Sequence, residues 1–256
     1  MAEAYARVAL LLAVLLAGGV LAGCGRSGPG VGEHPPAIVA LGDSVPRGTN
    51  CDCTPYPALT AEALGSVSGH PATAANDSVA GYTSGDVVRQ LDTDRAVDRN
   101  VSGADAIEIE VGANDVANTK SCGTTLFCYT AQVPQVERNL TTTIARVREL
   151  TGGSPVLIVL LDYWSVWLGG TYAAAEGEAY VATAQQLTTA INSAIRSVAT
   201  ASGCAYVDVR AAFKGPSYAY DETHYLSDDG DHPNAAGHQQ IATATTEVIR
   251  AALHVH

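Results

Sequence analysis

The sequence predicts an α/β fold in which a parallel β-sheet is covered by helices on both faces. Two patterns carry that prediction. Short apolar runs, of which Ala37-Ile-Val-Ala-Leu-Gly42 is the clearest, have the length and composition of strands buried on both sides. Between them lie stretches with apolar residues at helical spacing, and alternation of the two types is what strands joined by crossover helices produce. A chain of 256 residues is long enough for one such domain with a full core and short for two.

In chain order the first element stands outside that fold. Arg7 precedes the apolar run Val8-Ala-Leu-Leu-Leu-Ala-Val-Leu-Leu-Ala17, and small residues then lead to Leu21-Ala-Gly-Cys24. The run is too short for a lasting membrane span and has the length of a signal-peptide core, so residues 1–23 are expected to be a signal peptide. Its ending resembles the bacterial lipobox, which implies cleavage before Cys24, lipid attachment to that thiol and membrane association on the outer face of the cell envelope. An ordinary secretory signal with an incidental cysteine is the competing reading. Residues 24–36 are rich in Gly and Pro and read as a flexible tether. The folded domain is expected over residues 37–256.

The run at 37–42 is the first strand, and similar runs at 106–111, 155–161 and 204–209 supply others. Val136, Leu140, Ile144, Val147 and Leu150 mark a helix over 134–150, and 178–200 and 235–253 have the same periodicity. Glu108 and Glu110 alternate with Ile107, Ile109 and Val111 in what should be a central strand. Either that strand has a wet edge or a carboxylate is buried with a partner, and an architectural role is the simpler reading. Sheets of this type hold ligands at the carboxyl ends of their strands, so the chemistry belongs in the loops there.

Composition narrows the function classes. With 14 Lys plus Arg against 26 Asp plus Glu, the formal charge is -12, which repels polyanions and argues against a nucleic-acid partner. Only 16% of residues are charged, as in a compact enzyme and unlike a disordered chain. Six cysteines in an exported chain imply disulfides, yet lipidation of Cys24 would leave an odd number. Cys122 and Cys128 are the easiest pair, while Cys51, Cys53 and Cys204 stay open. Read as a metal site, Cys51-x-Cys53 lacks a second closely spaced Cys or His pair to complete a four-ligand set, so a metal is not expected there.

Four short motifs carry chemistry. Gly42-Asp43-Ser44 follows the first strand, where a serine at a strand-to-helix turn is exposed at the sheet edge with its own N–H free to face an oxyanion. By itself the tripeptide is equally an ordinary turn. In Asp229-Gly-Asp-His232-Pro-Asn, the Asp three residues before the His can hold the imidazole in the tautomer that takes a serine proton. Asp221, Glu222, Asp228, Asp229 and Asp231 also make this an acidic loop that is simply solvated or binds a cation. Gly112-Ala-Asn114-Asp115 follows the strand ending near Val111, where the Asn amide can donate to an oxyanion, although Gly, Asn and Asp also favour plain turns. In Asn76-Asp-Ser-Val-Ala-Gly81, the glycine lets the backbone approach a ligand and donate its N–H, or is a loop glycine only.

In order and spacing these motifs resemble the SGNH hydrolases, also called GDSL esterases, through Ser44, Gly81, Asn114 and His232. The resemblance runs from about Ile38 to the final helix. It implies a three-layer α/β/α, flavodoxin-like fold and a serine ester hydrolase without cofactor. Ser44 would be the nucleophile, His232 the base and Asp229 its orienting acid. The N–H groups of Ser44 and Gly81 and the Asn114 amide would form the oxyanion hole. The stretch from Gly48 through the Cys pair to Tyr56-Pro57 looks most like a secreted actinobacterial branch of the family, as does the Cys122–Cys128 loop. That branch has a further Cys near the glycine motif, where this chain has Val79 and Ala80, so Cys51, Cys53 and Cys204 gain no partner from the comparison.

The loop Asp162-Tyr-Trp164-Ser-Val-Trp167 holds both tryptophans and follows a strand's carboxyl end, so Trp164 and Trp167 are expected to wall an acyl or sugar pocket. Asp43 and Asp115 read as turn-fixing acceptors. His254 and His256 read as a frayed terminus. The expected substrate is a small-molecule or polysaccharide ester acted on by a monomer. Two rivals are acyl transfer to a sugar or alcohol, and a non-catalytic lipoprotein that binds carbohydrate or lipid; intact Ser44, Asn114, Asp229 and His232 speak against the second.

Overall fold

The computed structural model describes residues 35–117 and 122–253. The signal peptide, the lipidation site at Cys24, all but the end of the tether, and His254 and His256 lie outside the described residues. Among those described, no helix is long and apolar enough to cross a membrane.

Five parallel strands form the sheet: β1 (Ala37–Gly42), β2 (Thr73–Asn76), β3 (Ala106–Glu110), β4 (Leu157–Leu161) and β5 (Ala205–Val207). Their spatial order is β2-β1-β3-β4-β5, the flavodoxin-like order that places the switch point between β1 and β3. Helix α1 (Ser44–Arg47) follows β1, and α2 (Tyr56–Ser68) leads to β2. Then come α3 (Ser84–Thr93), α4 (Arg95–Ser102), α5 (Ala113–Ala117), α6 (Leu126–Thr130) and α7 (Val133–Leu150). After β4 lie α8 (Gly170–Ala175), α9 (Glu178–Ser202), α10 (Val209–Lys214) and α11 (Ala235–Leu253). Helices α2 and α11 pack together on one face of the sheet, and α3, α7 and α9 form a continuous layer on the other.

The expected strand at 37–42 and the helix at 235–253 match the structure, and the helix expected over 134–150 begins one residue earlier. The strands expected at 106–111, 155–161 and 204–209 are shorter than their apolar runs, because Val111 leaves the ladder and Val209 already opens α10. Ile38, Leu41, Ile107, Ile109, Leu160 and Leu161 are fully buried, as a sheet covered on both faces requires. Strand β2 has no apolar run: it is an edge strand of Thr73-Ala-Ala-Asn76, mostly half-buried.

The register of β1 against β3 sets the position of the serine motif. Gly42 pairs with Glu110, and a Cβ at Gly42 would overlap the Glu110 carbonyl oxygen, so only glycine lets β1 end this close to β3. The Asp43 N–H then donates to that carbonyl at 3.2 Å and directs the chain into α1.

Glu108 and Glu110 point to one face of β3 and both are completely buried beneath α2, beside Tyr56 and Thr60. The wet-edge alternative therefore falls. The buried alternative holds, with hydroxyls and no cation as partners: the Thr60 hydroxyl faces Glu108 and the Tyr56 hydroxyl faces Glu110, although neither contact closes into a hydrogen bond. Burial pushes Glu108 up to about 8, against the weaker pull of Thr60. Burial also drives Glu110 well above the usual carboxyl range, with the nearby Asp43 charge acting in the same sense. Both are held as neutral acids at neutral pH, which is how a carboxyl without a counter-charge avoids the cost of a buried anion.

Candidate active site

Ser44 occupies the first position of α1, at the carboxyl end of β1. Asp43 caps that helix by accepting the Val45 N–H at 3.0 Å and also receives the Tyr163 hydroxyl at 2.7 Å. Burial raises the Asp43 carboxyl to about 6, with the Val45 and Tyr163 hydrogen bonds opposing the rise. Its geometry is that of a turn-fixing acceptor beneath the serine. The Ser44 N–H lies in the first turn of the helix, where an intrahelical acceptor is lacking by construction.

His232 lies in the loop before α11, and that loop is firmly held. Ser227 N–H donates to the His232 carbonyl at 2.8 Å, and Leu226 bridges to Pro233. Asn234 accepts from the N–H groups of Ala236 and Gly237 while its amide donates to the Leu226 carbonyl at 2.8 Å. Within the loop, His232 Nδ1 stands 2.6 Å from Asp229 Oδ2. Asp229 Oδ1 accepts the backbone N–H groups of Asp231 and His232, each at 3.0 Å. Partial burial pushes the Asp229 carboxyl up, but the hydrogen bonds from the His232 backbone, the Asn50 side chain, the His232 ring and Asp231 outweigh it and hold the group at about 2. Asp229 is thus a carboxylate at any physiological pH, and a carboxylate at Nδ1 fixes the tautomer that leaves Nε2 as the proton acceptor.

Asn114, in α5, donates its Nδ2 to the Tyr82 carbonyl at 3.0 Å, which fixes the amide plane. Its neighbour Asp115 accepts from the N–H and hydroxyl of Ser84 at 2.8 and 2.6 Å, pinning this turn to the start of α3. Burial raises the Asp115 carboxyl, opposed by those Ser84 bonds, and its role is again that of an acceptor.

Ser44, Asn114 and His232 line a single narrow cleft of about 50 Å³, together with Asp43, Tyr163, Trp164, Val166 and Asp231. No direct hydrogen bond joins Ser44 to His232 there, a separation common where such contacts tighten on substrate binding. Gly81 is not among the cleft-lining residues. It sits in an exposed turn closed by Tyr82 N–H on the Val79 carbonyl at 3.1 Å, with φ +83, a conformation that favours glycine. The Val79 N–H donates to the Gly42 carbonyl at 3.0 Å, so this turn is tied to the end of β1. With Asn114 bound to Tyr82, the glycine turn, serine turn and Asn turn form one connected rim.

The two tryptophans part company. Trp164 is buried, stacks on Phe213 with centroids 4.6 Å apart and lines the cleft. Trp167 packs against the rings of Tyr129 and Tyr180, at 4.9 and 5.0 Å, so its contacts are those of a cap over the core. Trp164 also lines a larger cavity, about 310 Å³, whose lining includes neither Ser44 nor His232. Its greater size does not make it the stronger candidate, because none of the four motif residues Ser44, Gly81, Asn114 and His232 lines it.

The structure also brings together residues the motifs did not connect. Asn50 donates to Asp229, and Tyr163 to Asp43, across long stretches of chain. Cys122 and Cys128 are joined, with Cα atoms 5.9 Å apart, and Cys51 is joined to Cys53 with Cα atoms 5.1 Å apart. Cys204 is free. His238 comes within 4.8 Å of the Cys51 and Cys53 sulfurs, a grouping that spacing could not reveal. With those sulfurs bonded to each other, they are not the thiolates a metal requires.

A family model described as the GDSL-like lipase/acylhydrolase family matches residues 40–240. Among solved structures, a lipase from a goat rumen metagenome is 20% identical with a TM-score of 0.66, over 85% of this chain and 97% of that one. An extracellular lipase from Streptomyces rimosus is 22% identical with a TM-score of 0.64, over 85% and 99%. An acetylxylan esterase from Geobacillus stearothermophilus is 18% identical with a TM-score of 0.61, over 84% and 94%. At these identities the likeness is one of fold. No curated protein matches the chain significantly.

Proposed function

The chain belongs to the GDSL-like lipase/acylhydrolase family, and from that premise we propose that it is a serine carboxylester hydrolase whose triad is Ser44, His232 and Asp229. The observation that carries the reading is the shared cleft: Ser44, Asn114 and His232 line it while Asp229 holds the far side of the imidazole at 2.6 Å.

In this mechanism Ser44 Oγ attacks the ester carbonyl carbon and its proton passes to His232 Nε2. The imidazolium that forms faces the ionised Asp229, which stabilises the charge without taking the proton. The negative charge on the carbonyl oxygen is met by the Ser44 N–H and the Asn114 amide, with the Gly81 N–H as a third donor from the rim. His232 then protonates the departing alkoxide, leaving an acyl-Ser44 ester. Water attacks that ester with His232 again as base, releasing the acid and restoring the serine. No step calls for a metal or a cofactor. The small volume of the cleft, about 50 Å³, with Trp164 and Val166 in its lining, favours a short acyl group.

The proposed location follows from the N-terminal sequence: a signal peptide at 1–23, lipid on Cys24, a tether to residue 36 and a catalytic domain over 37–256, on the outer face of the membrane. The esterases and lipases among the structural neighbours lend support to an acyl or acetyl ester as substrate. Hydrolysis of nitrophenyl esters of graded acyl length by wild type and Ser44→Ala tests the proposal. Turnover lost in the variant is expected; equal background rates from both folded proteins would instead favour a binding protein.

A further inference from the structure

Asp229 receives one hydrogen bond beyond those a triad carboxylate needs. Asn50, in the turn after α1, donates its Nδ2 to Asp229 Oδ2 at 2.6 Å, on the oxygen that also meets His232 Nδ1. Ser227 Oγ donates in turn to the Asn50 carbonyl at 3.1 Å, so the two loops are clasped in both directions. Asn50 has φ 60 and Asp52 φ 47, left-handed conformations that Asn and Asp tolerate better than other residues with a side chain. Between and beyond them, the Cys51–Cys53 cross-link fixes the path of this short segment.

We propose that Asn50 is a positioning residue for the triad carboxylate, and that the Cys51–Cys53 cross-link holds the backbone conformation that presents its amide. The proposal rests on the Ser-His-Asp reading above. Asp229 Oδ1 is occupied by two backbone N–H groups of its own loop, so those bonds hold one oxygen and not the other. Oδ2 carries the catalytic contact, and Asn50 is the donor from outside the loop that fixes it. The Asp229 side chain is 30% exposed, so without the amide water competes for that oxygen and the imidazole loses its fixed direction. Asn50 acts through Asp229: its amide is bonded to that carboxylate, and Asn50 is not among the residues that line the cleft.

The full chain, assayed on nitrophenyl acetate, tests this with six proteins: wild type, Ser44→Ala, Asn50→Gly, Asn50→Asp, Cys51→Ser/Cys53→Ser, and the last combined with Asn50→Gly. Glycine keeps the positive φ and removes only the amide, so the fold is preserved; aspartate keeps the shape and puts a carboxylate against Asp229. Asn50→Gly is expected to lower kcat about 10-fold with KM within about 2-fold, and Asn50→Asp to lower it further. The double cysteine variant should show part of the Asn50→Gly loss, and the triple variant should be no slower than Asn50→Gly, since the cross-link acts through Asn50. Unchanged kcat in Asn50→Gly, or a loss confined to KM, overturns the positioning role. A triple variant slowed by both factors multiplied overturns the part given to the cross-link. Wild type no faster than Ser44→Ala overturns the hydrolase reading itself, and this proposal with it.

Discussion

Replacing Glu108 with Gln should make the protein more stable in alkaline solution and change it little in acid. Glu108 is fully buried on β3, and burial pushes its carboxyl from 4.5 to about 8. Because the folded value is the higher one, the native state keeps a proton that the unfolded chain has already released. The unfolded state then binds fewer protons, so stability falls as pH rises. The contribution is fully present below about 4.5, declines through the interval up to about 8 and changes no further above it. At about 1.4 kcal/mol for each unit of displacement, the full loss is on the order of 5 kcal/mol, a large share of the stability of a single domain. Gln has the same shape and no titrating proton, so Glu108→Gln removes this slope; the Glu108 charge is only a minor cause of the rise at Glu110, so the Glu110 contribution changes little between the two proteins. Urea denaturation of both proteins from about pH 5 to about pH 8.5 measures it. The stability difference should grow by several kcal/mol in favour of the variant across that range. A difference that stays constant would mean that Glu108 titrates alike in folded and unfolded chains, refuting the neutral buried acid.

The remaining predictions concern the cleft and its supports. Asp229→Asn should lower kcat by roughly 10³- to 10⁴-fold with KM little changed, the effect of presenting the wrong tautomer in a triad, as initial-rate kinetics will show. Asp229 is held at about 2 against 3.8 unfolded, so its stabilising contribution is present above 3.8 and is lost as pH falls toward 2; acid unfolding followed by circular dichroism should therefore show Asp229→Asn and wild type converging over that window. Tyr163→Phe removes the hydroxyl that donates to buried Asp43 and should cost about 1.5–3 kcal/mol at pH above the Asp43 titration, measured by denaturant melts. Trp164→Phe should shift relative rates across an ester series toward longer acyl groups, since Trp164 lines the cleft. The same change at Trp167, packed between Tyr129 and Tyr180, should leave those ratios alone.

The parts of this site that were legible in the sequence are those specified locally. Ser44 follows a strand whose apolar run is unmistakable, Asn114 follows one whose Ile107, Ile109 and Val111 still mark it despite two glutamates, and Asp229 and His232 are three residues apart within one turn. Their convergence follows from the parallel order of β1, β3 and the later elements, which brings the strand ends to one edge. What was hidden is long-range. Asn50 and Asp229 are 179 positions apart and Tyr163 and Asp43 are 120 apart, and nothing in either local sequence marks the partner. Glu108 and Glu110 were visible as a conflict but not resolvable, because the face they occupy is decided by the packing of α2. Strand β2 escaped because an edge strand of Thr, Ala and Asn has no hydrophobic signal. Trp167 shows the opposite limit: an aromatic residue in a loop beside a site reads the same whether it lines a pocket or caps a core.

Covalent trapping tests the central claim most directly. A nitrophenyl alkylphosphonate transfers its phosphonyl group to an activated serine and releases nitrophenol, leaving a stable mass increment that peptide mass spectrometry can assign. The account predicts one equivalent of label on the peptide containing Ser44, none on Ser44→Ala, and labelling slowed by orders of magnitude in His232→Ala. Label on another residue, or on Ser44 at an unchanged rate without His232, would contradict it.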